Sequence, residues 1–271
     1  MFARAASLGA GLSFLIAVVS GTQVKGLPSA TAEHGGFGLS NQTGTHLLLT
    51  ADLAAPELLK TALCAGRRFP VRFNRRQVEG KNDNGRQTPY NFDNLAGSVF
   101  TVLAGKVDPA ATCFLASEQL LAGATSLNIT APAGSGACLQ RGRFATLRER
   151  QVIHCWPLAQ AAPGKQLALL EFARRGKDAL AAVVFVNGAR TSFADYPAEV
   201  RGPGEDLWRV DDGGGLSPDG FEIVCVVQRG GWYALAIAWA GSEGRSLSLW
   251  VSDGSERFTE VLSDYWYHVP V

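Results

Sequence analysis

From Gln166 to the C-terminus the chain is a succession of short apolar runs separated by tight-turn residues, and few folds can be built from that pattern. LALLEFA, AAVVFV, FEIVCVVQ, WYALAIAW and SLSLWVS are each of strand length. Asn187-Gly188 follows the second run, Arg229-Gly230-Gly231 joins the third to the fourth, and Asp253-Gly254-Ser255 joins SLSLWVS to RFTEVLS. Gly and Asn accept the positive φ that a tight hairpin requires, so these are hairpin signals. No helical period interrupts them. The expectation is a mainly β chain, with antiparallel sheets arranged as a sandwich or barrel.

The stretch before Gln166 is less regular. RFPVRF and SVFTVLAG read as strands, and Pro56 followed by ELLKTAL predicts one short helix, with Asp52 or Ala55 near its start. In VDPAATCFLASEQLL, Asp108-Pro109 suits either a helix start or a turn before a strand TCFLAS. Arg75 to Asn94 is a polar stretch without a period, and a loop of that length in a compact domain is usually functional or mobile. RFATLRERQVIHCWP, from Arg143, echoes RFTEVLSDYWYHVP, from Arg257: both begin Arg-Phe, and His154 and His268 sit at equal offsets. That fits two related β halves, 45–160 and 165–271, joined by PLAQAAPGK, although chance similarity among β-rich segments is the plainer explanation.

The first 21 residues carry Arg4, an apolar run from Leu8 to Val19 and then small residues, the layout of a cleaved signal peptide. The run is short of the roughly 20 apolar residues a span needs, so no membrane span is expected once it is removed. Residues 22–44 are small and polar and read as a flexible lead-in. The expected location is periplasmic or extracellular. Export permits disulfides, and the five cysteines leave at least one thiol over. Cys225 lies in FEIVCVV on the same face as Phe221, Ile223 and Val227, so it reads as a small buried hydrophobe and the free thiol. Cys64, Cys113, Cys138 and Cys155 can pair in three ways. Net charge is +1 with no long run of one sign, which argues against a nucleic-acid partner.

The chemistry-bearing patterns are sparse. Asp211, Asp212 and Asp219 lie in VDDGGGLSPDG and could supply oxygen ligands to calcium, but no regular ligand spacing accompanies them. A turn between strands LWRV and FEIVCVV explains the same residues. No zinc spacing, GxSxG or phosphate-binding loop occurs, and no cofactor is implied. Aromatics crowd the last 65 residues. In DYWYHVP neighbours must point to opposite faces of a strand, which makes Tyr265, Trp266 and Tyr267, with Trp208, the candidate ligand-binding residues. Trp239 and Trp250 read as core. The expected role is an exported binding or interaction module for a protein or saccharide. A secreted hydrolase using loop carboxylates and a structural part of a cell-envelope assembly are the alternatives.

Overall fold

A computed structural model describes residues 34–132, 134–200 and 216–268. Six strands close a barrel: β1 (Gly35–Ser40), β2 (His46–Leu49), β3 (Leu59–Cys64), β4 (Arg67–Gln77), β5 (Gly97–Val102) and β6 (Thr112–Ser117). Their order around the ring is β1-β2-β5-β4-β3-β6, antiparallel throughout, so β1 and β4 stand on opposite sides. Leu47, Leu59, Phe69, Val71, Phe100 and Leu115 fill the interior. The disulfide Cys64–Cys113 staples β3 to β6 where the two residues sit directly opposite, with a Cα–Cα distance of 4.4 Å.

A short helix, α1 (Glu118–Leu121), starts where the Ser117 hydroxyl accepts the Leu120 N–H at 3.2 Å. The chain then makes β7 (Thr125–Leu127), a 3-10 turn at Gly136–Gln140, and α2 (Arg141–Leu147). Two meanders follow. β8 (Val152–Ala162), β9 (Lys165–Arg175), β10 (Asp178–Asn187) and β11 (Arg190–Glu199) form a four-stranded sheet in sequence order. β12 (Phe221–Arg229), β13 (Trp232–Ala240), β14 (Gly244–Ser252) and β15 (Thr259–Tyr267) form a second, which β7 extends beside β12. Isolated bridges join the two sheets at both margins, Thr130 to Gln160 and Phe193 to Arg257. Together they make a flattened sandwich closed along both edges, which leaves few strand edges open to other chains.

The five-stranded sheet is buried on both faces. One face, with Ile223, Leu235, Ile237 and Trp250, packs on Leu167, Leu169, Val183 and Phe185 of the four-stranded sheet. The other, with Val224, Ala236, Leu247, Leu249 and Trp266, packs on the outside of the barrel through Leu63, Phe114 and Phe37. The outer face of the four-stranded sheet is covered by α2, where Phe144 meets Phe193 edge-on at 6.1 Å. The second disulfide, Cys138–Cys155, ties the 3-10 turn to β8. Among the described residues no helix is long and apolar enough to cross a membrane.

The sandwich hairpins form where the turn residues place them: Gly188, Gly230 and Gly254 all have positive φ. Other expectations change. Residues 35–40, within the segment read as a flexible lead-in, are the buried strand β1. Its glycines hid it, because glycine is depleted in strands. Here a Cβ on Gly36 would lie 2.6 Å from Leu49 Cδ1, and one on Gly38 would lie 2.3 Å from Leu115 Cδ1, so neighbouring side chains occupy that space. The helix expected after Pro56 is one 3-10 turn, Pro56–Leu58, and the residues beyond it become β3 because Leu59, Ala62 and Leu63 are needed in the sheet.

The echo between Arg143 and Arg257 does not correspond to a repeated structure. Arg143 to Leu147 is helical, while the counterpart from Thr259 is strand, and PLAQAAPGK is the hairpin between β8 and β9 rather than a connector. β7 and β8 both belong to the sandwich sheets, so the architecture divides after β6 rather than near residue 160. Cys225 is the free, buried cysteine, but it does not share a face with Phe221 and Ile223. A bulge between Ile223 and Cys225 turns Cys225 and Val227 toward the barrel. Burial pushes its thiol up to about 12, so it stays protonated.

Candidate functional site

The polar stretch 78–96 between β4 and β5 is an ordered flap. Gln77 donates from Nε2 to the carbonyls of Phe92 (2.7 Å) and Leu95 (2.8 Å), closing the base of the loop. Phe92 and Leu95 plug into the core between barrel and sandwich. The buried Asn91 donates from Nδ2 to Asp83 Oδ1 at 2.7 Å and to the Arg86 carbonyl at 3.0 Å. The tip is pinned to the edge strand β15: Gln87 N–H donates to the Tyr267 carbonyl (2.9 Å), and Tyr267 N–H donates to Gln87 Oε1 (2.7 Å). The neighbouring edge amide, Tyr265 N–H, is taken by Asp264 Oδ1 at 2.8 Å. These caps keep the end of β15 from pairing with another strand.

Between flap and sandwich lies a crevice of about 370 Å³, within the roughly 300–1,000 Å³ typical of small-molecule sites. Trp266, Leu39 of β1 and Ala110 provide an apolar floor, and Pro89 and Tyr90 of the flap form the lip. Tyr90 is 85% exposed. The polar lining is Asn84, Arg86, Gln87 and Thr88 from the flap, with Arg245 and His268 from the sandwich. Arg245 Nη1 donates to Thr112 Oγ1 at 2.8 Å and reaches Glu222 Oε2 at 3.4 Å. His268 is fixed through its backbone N–H to the Glu243 carbonyl. Partial burial and the nearby Arg245 charge hold its imidazole down at about 4, so it is neutral at pH 7. Among the described residues no carboxylate lines the crevice, and its two charged side chains, Arg86 and Arg245, are both basic.

Three carboxyls in the sandwich are pushed above their ordinary range by burial: Glu222, Glu260 and Asp264. Glu222 is drawn back down by Arg245, and Asp264 by the Tyr265 amide and the Trp266 indole. Glu222 and Asp264 end one cross-strand row, Glu222–Ala238–Leu247–Asp264. At about 4.8 Å per strand their backbones stand about 14 Å apart. Buried Ala238 and Leu247 fill the space between them.

The terminal aromatics alternate as a strand requires, but not all serve the same surface. Trp266 is 1% exposed and belongs to the core. The candidate binding residue is therefore a structural one whose edge forms the crevice floor. Tyr265 and Tyr267 are 41% and 38% exposed and point to the opposite face, away from the crevice. Trp208, Asp211 and Asp212 lie outside the described residues. Asp219 is exposed in a 3-10 turn, where its N–H donates to Ser217 Oγ at 3.3 Å. Among the described residues no group of three or more His, Cys, Asp or Glu side chains is placed to hold a metal.

Trp239 and Trp250 join Tyr196 and Phe221 in an aromatic cluster between the sheets, with Phe221 stacked on Trp239 at 5.2 Å. His154 and His268 are not brought together: His154 bonds Glu171 Oε2 at 2.7 Å on exposed β8 and stacks on Trp156. Sequence reasoning singled out the stretch Arg75 to Asn94, which contains most of the flap, as functional or mobile by its length and polarity. It missed Arg245, which reads as an ordinary turn-proximal arginine until β14 is paired with β15. Searches against protein-family models, curated proteins and solved structures return no match for this chain.

Proposed function

We propose that the protein is an exported β-rich binding module whose crevice takes a small, mainly apolar ligand carrying a carboxylate or phosphate. The observation behind this reading is the joint placement of Arg86, Arg245 and the neutral His268 over an apolar floor of Trp266 and Leu39. An anionic group would meet two guanidinium donors in a partly desolvated setting, where charge-assisted hydrogen bonds are strongest. The apolar body would cover Trp266 and displace water from Leu39. The signal-like first 21 residues and the two disulfides support export to an oxidising compartment. Glu222 is ion-paired to Arg245, and buried Ala238 and Leu247 stand in the row between it and Asp264, which favours binding over carboxylate-pair hydrolysis.

The test is a titration of aromatic and alkyl carboxylates followed by indole fluorescence. Saturable binding is expected, weakened about 10- to 100-fold in Arg245→Gln, the range for losing a hydrogen bond to a charged group. Unaltered affinity in Arg245→Gln, or no saturable binding of any member of the series by the parent protein, would overturn the reading.

A further inference from the structure

The side of the barrel away from the crevice carries a concentration of charge that the overall balance conceals. From Leu58 to Val78 the chain has six basic residues, Lys60, Arg67, Arg68, Arg72, Arg75 and Arg76, and no acidic one. The rest of the chain has 19 basic against 24 acidic residues. All six basic side chains are exposed. Arg76 is engaged by Asp52 Oδ1 at 3.0 Å, and Arg75 donates to Gln77. Among the described residues Lys60, Arg68 and Arg72 have no ion-pair partner.

The register shows which of these share a face. Val71 and Val102 oppose each other and both are buried in the barrel, so Pro70 and Arg72 point outward. Arg68 lies on the same outward row as Pro70 and Arg72. The bulge between Phe73 and Arg75 then returns Arg75 to that face, opposite Val99. Two large apolar side chains flank the row. Leu103, whose N–H donates to the Pro70 carbonyl, is 52% exposed, and Leu58, in the 3-10 turn packed on β4, is 49% exposed. Their backbone is held by the barrel, so they stand as fixed apolar projections beside the arginines.

We propose that this outer face of β4 docks the protein on an anionic phospholipid surface, with Arg68, Arg72 and Arg75 on phosphates and Leu58 and Leu103 entering the headgroup layer. Guanidinium groups suit phosphate because their fork matches two of its oxygens. Apolar side chains beside a basic row gain from a lipid interface, whereas a nucleic-acid or polysaccharide strand gives them nothing to enter. β1, which supplies Leu39 to the crevice, lies across the ring from β4, so docking leaves the crevice open to solvent.

The experiment is co-sedimentation of the full chain, as exported, with phosphatidylglycerol-rich vesicles and with pure phosphatidylcholine vesicles. Binding is expected to the first and not the second, and to fall as salt is raised. At about fivefold per basic residue near an anionic surface, Arg68→Glu/Arg72→Glu/Arg75→Glu should weaken partitioning on the order of a hundredfold or more. The milder Arg68→Gln/Arg72→Gln serves if that variant melts early, with a loss of about 25-fold expected. Arg245→Gln should bind vesicles like the parent, which separates this surface from the crevice. Equal partitioning to phosphatidylcholine, full binding by the arginine variants, or binding to heparin or duplex DNA without binding to vesicles would overturn the proposal.

Discussion

The barrel and the sandwich are both antiparallel and both stapled by one disulfide, yet they are encoded differently. In the sandwich every strand of each meander pairs with its neighbour in sequence, so turn chemistry and local alternation specify the register. In the barrel, β1 pairs with β6, β2 with β5 and β3 with β6, contacts that no short window of sequence contains. The two regions also share a core: Trp266, Leu247 and Leu249 of the sandwich are packed against Phe37, Leu63 and Phe114 of the barrel. Local pairing and long-range closure therefore meet at one apolar interface, and the flap 78–96 lies across its margin with Phe92 and Leu95 inserted. The sandwich meanders are therefore specified locally, while the barrel depends on closure and on the surface the sandwich offers it.

Emptying the shared interface should have the largest effect on both regions. Trp266→Ala removes one of the largest fully buried side chains and should cost about 3–5 kcal/mol. Amide hydrogen exchange is the discriminating readout. Protection should fall together in β5 of the barrel and in β13 of the sandwich if the interface couples them. A variant in which only β13 loses protection would show two independently stable units.

The second disruption acts on closure. Removing Cys64–Cys113, for example as Cys64→Ala/Cys113→Ala, opens a cross-link between residues 49 apart in sequence, a loop for which chain entropy suggests about 4 kcal/mol. Removing Cys138–Cys155, 17 apart, should cost about 3 kcal/mol by the same reasoning. Packing sharpens the contrast: the first bond closes a ring of non-local pairings, while the second holds a turn and α2 against a sheet already formed by hairpins. Chemical denaturation of the two double variants should rank them in that order. The reverse order would mean that α2 and its cover of Phe172 and Phe193 contribute more to the fold than barrel closure does.

How much of this was legible follows from the same contrast. FEIVCVVQ, WYALAIAW and SLSLWVS announced their strands, and Gly230 and Gly254 their turns. Strict alternation failed at Cys225, because a sheet buried on both faces has no polar side to keep register and a bulge goes unseen. β1 was hidden because three glycines make room for Leu49, Phe114 and Leu115, a packing relation visible only across strands. The crevice was half legible. The polarity and length of the flap marked it, but its opposite wall needs Arg245, Trp266 and His268 from β14 and from the end of β15, and nothing in local sequence ties those to Gln87. The arginines of β4 were in plain view, but their common face appears only when Val71 and Val102 are turned inward.

The smallest effect expected lies where the two regions meet at His268. Its imidazole is held near 4 in the folded protein, below the ordinary value of about 6.5. Above that value the histidine is neutral in both states and contributes no pH dependence. As pH falls from about 6.5 toward 4 the unfolded chain takes up a proton that the folded chain refuses, so stability drops across that window and levels off below it. Because His268 is only partly buried, solvent screening leaves an effect of about 1 kcal/mol. Glu222, Glu260 and Asp264 act in the opposite sense. Their raised folded values mean that the native state takes up protons first as pH falls, which adds stability toward acid. His268→Gln should therefore remove the loss between pH 6.5 and 4 and leave the carboxyl contribution alone, so that its melting temperature falls less than the parent's over that window. Parallel melting curves for parent and variant would show that His268 is as free to protonate in the fold as in the unfolded chain, and that the positive field assigned to Arg245 does not reach the crevice wall.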